Sequence, residues 1–221
     1  MHDMPDLREA LTHVYWLGGG SGAAKSTIAR RLVVAHDMTL YSTDEVMGDH
    51  GKRCTPDECP RMESFKQMTM DERWINRTPD VMLETFHWFH GEGFHFILED
   101  LLALPRDRKI IVEGFRLLPH LVTPVIASSH QAIWLIPTPE FRVKAIEARG
   151  TIWDIPKKTS QPEKALRNLL TRDAMFTEQL KNQADAEGVA MIVVDGSRSE
   201  DELLDAVGSH FVLPANTGPG S

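Results

Sequence analysis

One run, Gly18-Gly19-Gly20-Ser21-Gly22-Ala23-Ala24-Lys25-Ser26-Thr27, constrains this chain more than any other stretch. It follows His13-Val14-Tyr15-Trp16-Leu17, a short β-rich segment. Beyond it, Ile28, Leu32 and His36 recur at helical spacing, with Ala29 and Val33 beside them. Strand, glycine loop, helix is the order this predicts. Small residues let the backbone of such a loop turn successive N–H groups inward. The helix that follows adds the positive end of its dipole at the same place, so the occupant that fits is an anion.

Against the phosphate-loop template G-x-x-x-x-G-K-[ST] (the P-loop, or Walker A motif), Gly19 fills the first glycine, Lys25 the lysine and Ser26 the hydroxyl. Gly20, Ser21, Gly22, Ala23 and Ala24 supply the wrapping backbone. Lys25 is placed to neutralise β- and γ-phosphates, Ser26 to ligate Mg²⁺, and Thr27 to touch the α-phosphate. Ala24 stands where the template has its second glycine. If that position requires positive φ, alanine strains the loop by roughly 1 kcal/mol; if it requires only a small side chain, alanine fits. G-x-G-x-x-G spacing with a later ribose-binding acid is absent, so a nucleoside triphosphate is expected rather than a dinucleotide.

Four further apolar runs read as strands: Thr39–Ser42, Lys109–Gly114, Ala132–Ile136 and Val189–Val194. Runs without alternation suit a parallel sheet covered on both faces. Helical patterns lie between them, over Thr138–Ala148, Pro162–Glu187 and Ser199–Phe211, the last with Ser199 and Glu202 at capping-box spacing. The fold class predicted is α/β: a three-layer, doubly wound, parallel five-stranded sheet of P-loop NTPase type. Residues 46–108 interrupt it with helical patterns at Glu63–Met70, Pro79–Phe89 and Gly93–Leu104, a helical insert between the second and third strands. The expected organisation is a single domain over 1–213, with insert 46–108 and a disordered tail 214–221.

Charge and composition narrow the partners. The 221 residues carry a formal net charge of -8 with no dense Lys/Arg run, which disfavours nucleic acid. No apolar run approaches the ~20 residues of a membrane span, the start has no secretory h-region, and two cysteines are too few for a disulfide scaffold, so a cytoplasmic location is expected. His50, Cys54 and Cys59 give at most three zinc ligands and no C-x₂-C pair, a weak metal site. Phe86, Trp88, Phe89, Phe94 and Phe96, with His87, His90 and His95 interleaved, read as helix core or as the lining of an acceptor pocket.

Gly19–Thr27, the step Ser42-Thr43-Asp44 after the second strand, and Val112-Glu113-Gly114-Phe115-Arg116 after the third together resemble the small-molecule and nucleoside monophosphate kinases. The resemblance implies an ATP- and Mg²⁺-dependent phosphotransferase that moves the γ-phosphoryl group to a hydroxyl or phosphate of a small-molecule acceptor. It implies Asp44 as general base facing the acceptor, Glu113 beside a Mg²⁺-bound water, and Arg116 forked onto an acceptor phosphate or carboxylate. In such kinases an Asp and a Pro accompany the arginine; neither stands here, which leaves the acceptor type open. The resemblance also implies backbone contacts to adenine from Gly196-Ser197-Arg198, with Asp195 a turn residue. It places a mobile lid over about 149–172, drawing on Arg142, Arg149, Lys157, Lys158, Arg167 and Arg172. Arg149, followed by Gly150, is the leading lid residue to contact the transferring phosphoryl group.

The rival expectation is a nucleotide-dependent NTPase or switch module without a small-molecule acceptor. Neither an N-K-x-D guanine motif nor a D-x-x-G after the third strand is present. A nucleotide binder that has lost catalysis through Ala24, and a polynucleotide kinase, are the remaining alternatives; net acidity counts against the second.

Overall fold

The structure, a computed structural model, describes residues 4–148, 150 and 152–213. Arg149 and the tail 214–221 lie outside the described residues. From the N-terminus the elements are α1 (Met4–Ala10), β1 (Val14–Gly19), α2 (Lys25–His36) and β2 (Thr39–Ser42). The 46–108 segment follows with α3 (Met47–Arg53), α4 (Pro60–Gln67), α5 (Met70–Trp74), α6 (Pro79–Thr85), a 3₁₀ turn at His87–His90, and α7 (Phe94–Ala103). Then come β3 (Ile110–Glu113), α8 (Pro119–Val122), β4 (Ala132–Pro137), α9 (Pro139–Ala148), α10 (Pro162–Glu187), β5 (Ala190–Val194) and α11 (Glu200–His210).

The five strands are all parallel in the order β2-β3-β1-β4-β5. Because side chains alternate along a strand, each central strand feeds both faces. Trp16, Val112 and Trp134 point to one face with Ile97, Leu101, Phe176 and Leu180 from α7 and α10. Leu17, Ile111 and Leu135 point to the other with Ile28, Leu32, Leu203 and Val207 from α2 and α11. Helices on both faces of a parallel sheet make the three-layer α/β architecture that the unbroken apolar runs predict. β5 departs from expectation: only Val194 is buried, and Val193 is 51% exposed. It is an edge strand, paired on one side only.

In the 46–108 segment the boundaries shift for local reasons. The helix expected at Glu63 starts at Pro60, whose fixed φ suits a first turn. It gives way at Met68 because Thr69 and Glu72 form a reciprocal capping box that starts α5. The helix expected to reach Phe89 stops at Thr85, and the aromatic stretch continues as the 3₁₀ turn. Ser199 and Glu202 form the capping box their spacing predicts at the start of α11.

Candidate active site

β1 delivers the glycine loop to the C-terminal edge of the sheet, the edge at which open α/β sheets bind ligands. Lys25 opens α2, and its Nζ donates to the Gly20 carbonyl at 2.7 Å, folding the side chain over the loop. Helices normally take a side-chain cap and an acid in the first turn. α2 has neither: Ala24 makes no side-chain cap bond, and no acidic residue stands in the first turn. An anion at this end would answer both the first-turn N–H groups and the dipole. Gly22 has φ +81°, and a Cβ there would press on Arg142 Cγ at 3.3 Å, so the loop is wedged against α9. Ala24 adopts φ 62°, ψ 10°. The position does require positive φ, and alanine holds it under strain of about 1 kcal/mol.

Beside the loop, β3 ends on a buried carboxylate, Glu113, 3% exposed. The parallel register sets it level with Leu17 on one side and Ser42 on the other. Ser26 donates to Glu113 Oε2 at 3.1 Å and Ser42 to Oε1 at 2.9 Å. Gly114 follows with φ +145°, and any Cβ there would collide with Thr43 Oγ1, so only glycine lets β3 turn this closely past the end of β2. Ser26, Glu113 and Ser42 are hard oxygen donors of the kind Mg²⁺ takes together with substrate phosphates and water. Among the described residues no cluster of three or more His, Cys, Asp or Glu side chains forms a metal cage, so any magnesium here would depend on that mixed set.

Asp44 lies one step beyond Thr43. It does not cap α3, whose N-cap is Val46, with no side-chain cap bond. Instead it lines a cavity of about 330 Å³ that also reaches Ser21 of the glycine loop. Water reaches the carboxylate through the cleft, while protein crowds its other sides. This crowding removes bulk water and pushes its pKa above the usual aspartate value; Glu113 pushes the same way, and Lys25 and Arg116 oppose it.

Arg116, expected to fork onto an acceptor, has its guanidinium turned to two backbone carbonyls. It is 2% exposed and donates from Nη1 to Thr43 O at 3.3 Å and from Nη2 to Gly93 O at 3.2 Å. Its guanidinium lies 3.9 Å from the Trp88 ring centroid. Burial lowers its pKa to about 10, and among the described residues it forms no ion pair with a carboxylate. The side chain ties the end of β2 to the start of α7 and backs Asp44 electrostatically.

α10 also lines the cavity, through Arg172, Asp173 and Phe176. Asp173 Oδ1 accepts from Arg172 Nε at 2.9 Å and Nη2 at 2.6 Å, and Oδ2 stands 3.5 Å from Arg142 Nη2. Arg142 also donates to Leu170 O at 2.9 Å. Of the basic residues expected in the lid, Arg142 and Arg172 are therefore buried together around one carboxylate beside the glycine loop, whereas Lys157 pairs with Asp154. Asp173 is the residue that sequence reasoning missed. Arg149 stays outside the described residues. Cys54 and Cys59, weighed as zinc ligands with His50, are instead joined to each other, and His50 pairs with Asp100 at 2.8 Å. Asp195 accepts from the backbone N–H and the hydroxyl of Ser197, the turn role expected of it.

The sequence matches no protein-family model and no curated protein. Among solved structures it is similar to a deoxyadenosine kinase from M. mycoides with bound dATP, at 13% identity and a TM-score of 0.44, over 89% of this chain and 97% of that one. Among the described residues no helix is long and apolar enough to cross a membrane.

Proposed function

We propose that this chain is an ATP- and Mg²⁺-dependent phosphotransferase that moves the γ-phosphoryl group to a hydroxyl or phosphate of a small-molecule acceptor. The observation that carries the reading is the coincidence of two features at one sheet edge. Lys25 and Ser26 begin an uncapped helix across from buried Glu113, and a cavity opens between Ser21 of the same loop and Asp44. That cavity gives an acceptor a place beside the loop, which favours transfer over hydrolysis alone.

In this reading the backbone from Gly19 to Thr27 wraps the triphosphate, with Gly20, Ser21, Gly22, Ala23 and Ala24 at its bend. Lys25 leaves the Gly20 carbonyl and turns to the β- and γ-phosphates. Ser26 would ligate Mg²⁺, and Glu113, which accepts from Ser26, would hold a metal-bound water; the ion would neutralise charge on the phosphate oxygens. Asp44 accepts the acceptor's proton as its oxygen bonds to the γ-phosphorus and the bond to the leaving β-phosphate oxygen breaks, giving ADP. Arg116 positions Thr43 and Asp44 from behind. Gly196-Ser197-Arg198, in the turn after β5, would meet adenine through its backbone. Residues 46–108 serve as the acceptor-binding insert and about 149–172 as a lid, with Arg149 the leading cation to meet the transferring group and Arg142 and Arg172 held beside it by Asp173. A cytoplasmic location belongs to the same proposal.

Transfer of label from γ-labelled ATP to a pooled library of small alcohols and phosphomonoesters tests this. Wild-type protein should label at least one acceptor, and Asp44→Asn should slow that transfer by about 100-fold or more. Label appearing only as free phosphate would favour the NTPase reading instead.

A further inference from the structure

The acceptor cavity has a chemistry of its own. Phe65 of α4 and Trp74 of α5 form one wall, and Phe86, Trp88 and Phe89 around the 3₁₀ turn form the next. Phe115, just past Glu113, and Phe176 of α10 close it. Several of these rings already meet one another edge-on, among them Phe65 with Phe86 at 5.4 Å and Phe115 with Phe89 at 5.9 Å. A volume of about 330 Å³ is at the small end for a ligand pocket and suits one ring or a fused pair rather than a long chain.

The charges around the cavity already answer one another. Arg172 and, from behind the wall, Arg142 meet Asp173, while Lys25 and Arg116 act on Asp44. His87 adds no charge, since burial, reinforced by Arg116 and Arg172, lowers its pKa to about 3. Arg116 acts on Asp44 and His87 from behind the wall, while donating to the carbonyls of Thr43 and Gly93. A phosphomonoester would bring up to about two further negative charges into a lining whose carboxylates and cations are already matched. A cationic acceptor fares no better. The Arg172 guanidinium stands 4.6 Å from the Phe86 centroid, 5.0 Å from Phe89 and 5.1 Å from Trp74, so these three rings already hold a cation that a second one would meet as a like charge.

We propose that the acceptor is an uncharged molecule with a flat ring and a free hydroxyl, the ring slotted among Phe65, Phe86, Phe115 and Phe176 and the hydroxyl presented to Asp44. This rests on the phosphotransferase reading for the fate of the hydroxyl, but ring binding does not require it. Neither an aliphatic polyol nor a phosphorylated acceptor satisfies the cavity. A polyol would strip its hydroxyl groups of water against apolar walls.

Trp74 and Trp88 line the cavity, so their fluorescence reads ring binding directly, without nucleotide. The full-length protein is titrated with benzyl alcohol, pyridoxine and thymidine, with glycerol and ribose, and with thymidine 5′-monophosphate. The same compounds are then offered as acceptors with γ-labelled ATP, and Mg²⁺–ATP binding is measured by calorimetry. At least one neutral ring alcohol should quench saturably and accept phosphate, about tenfold or more ahead of the polyols and of the monophosphate in kcat/KM. Phe115→Leu, at a half-buried ring, should weaken ring binding by about tenfold while the heat of nucleotide binding stays unchanged. Equal or better use of glycerol, ribose or the monophosphate would overturn the proposal. So would the absence of quenching by every ring alcohol, or ring binding indifferent to Phe115→Leu. Quenching without any nucleotide heat would break the phosphotransferase reading, and the acceptor role with it, while leaving the ring site standing.

Discussion

Ser26 donates its hydroxyl to Glu113 Oε2 at 3.1 Å, joining the first turn of α2 to the end of β3 across 87 positions of chain. Ser42 holds the other carboxylate oxygen, so one buried acid fixes the relative height of the glycine loop and two strand ends. Glu113→Gln keeps the size of the side chain and removes its charge. The magnesium concentration for half-maximal transfer, measured at saturating ATP, should then rise by about 10- to 100-fold. An unchanged magnesium requirement would remove Glu113 from the metal's surroundings.

Asp44, open to water from the cleft, carries a pKa raised chiefly by the protein that crowds its other sides. In its proposed role of base it must be ionised, so the acid limb of the transfer rate should lie above the ordinary aspartate value of 3.8, and Asp44→Asn should abolish that limb along with most of the rate. Stability should move the other way. An acid whose pKa is higher folded than unfolded stabilises the fold only below its unfolded value, and that contribution is lost as the pH rises through the folded one. At neutral pH, Asp44→Asn should therefore melt above the wild type, and the gap should close as the pH falls below 3.8. Melting curves across that range decide it.

Ala24 sits at φ 62° in a loop that needs that conformation. Ala24→Gly relieves roughly 1 kcal/mol of strain but gives back part of it as backbone entropy in the unfolded chain, so urea unfolding should show a gain of up to about 1 kcal/mol. Nucleotide affinity should be no weaker than wild type. A loss of stability would mean that Ala24 is not strained.

Asp173 serves two arginines whose side chains are 4% and 8% exposed. Asp173→Ala leaves both buried charges without their carboxylate. Breaking a buried pair costs about 3–5 kcal/mol; Asp173 is itself 22% exposed, so a loss nearer 2–3 kcal/mol is expected in chemical denaturation. A neutral effect would show that the arginines find other partners and that the carboxylate does not hold α9 to α10.

What the sequence makes legible follows from range. The strand–glycine–helix step is set by neighbours: a β-rich run, residues small enough to wrap, and a helix with Lys25 at its start. The unbroken apolar runs of the central strands give the sheet for the same reason. α3 and α5 escape because their signals are weak: Met47–Arg53 contains two glycines and no apolar stripe, and Met70–Trp74 is barely one turn long. The partner of Arg116 is invisible because the residues it binds, Thr43 and Gly93, lie 73 and 23 positions away and offer only backbone carbonyls, which no motif encodes. Asp173 hides likewise. On a long amphipathic helix it reads as a solvated acid, and nothing local announces that Arg142 reaches it from another helix. The aromatic stretch from Phe86 to Phe96 is legible as a cluster, but whether it fills a core or lines a cavity is decided by what packs against it, here α10.

The central claim is that the loop from Gly18 to Ser26, with Lys25 over it, cradles a nucleotide's polyphosphate. Calorimetric titration of the full-length protein with a slowly hydrolysed ATP analogue and magnesium tests it most directly, beside Lys25→Ala. The wild type should bind saturably, and Lys25→Ala should weaken binding by about 10-fold or more, since it removes a charged contact to phosphate. No heat with the wild-type protein at about millimolar ligand, or equal affinity in Lys25→Ala, would contradict it.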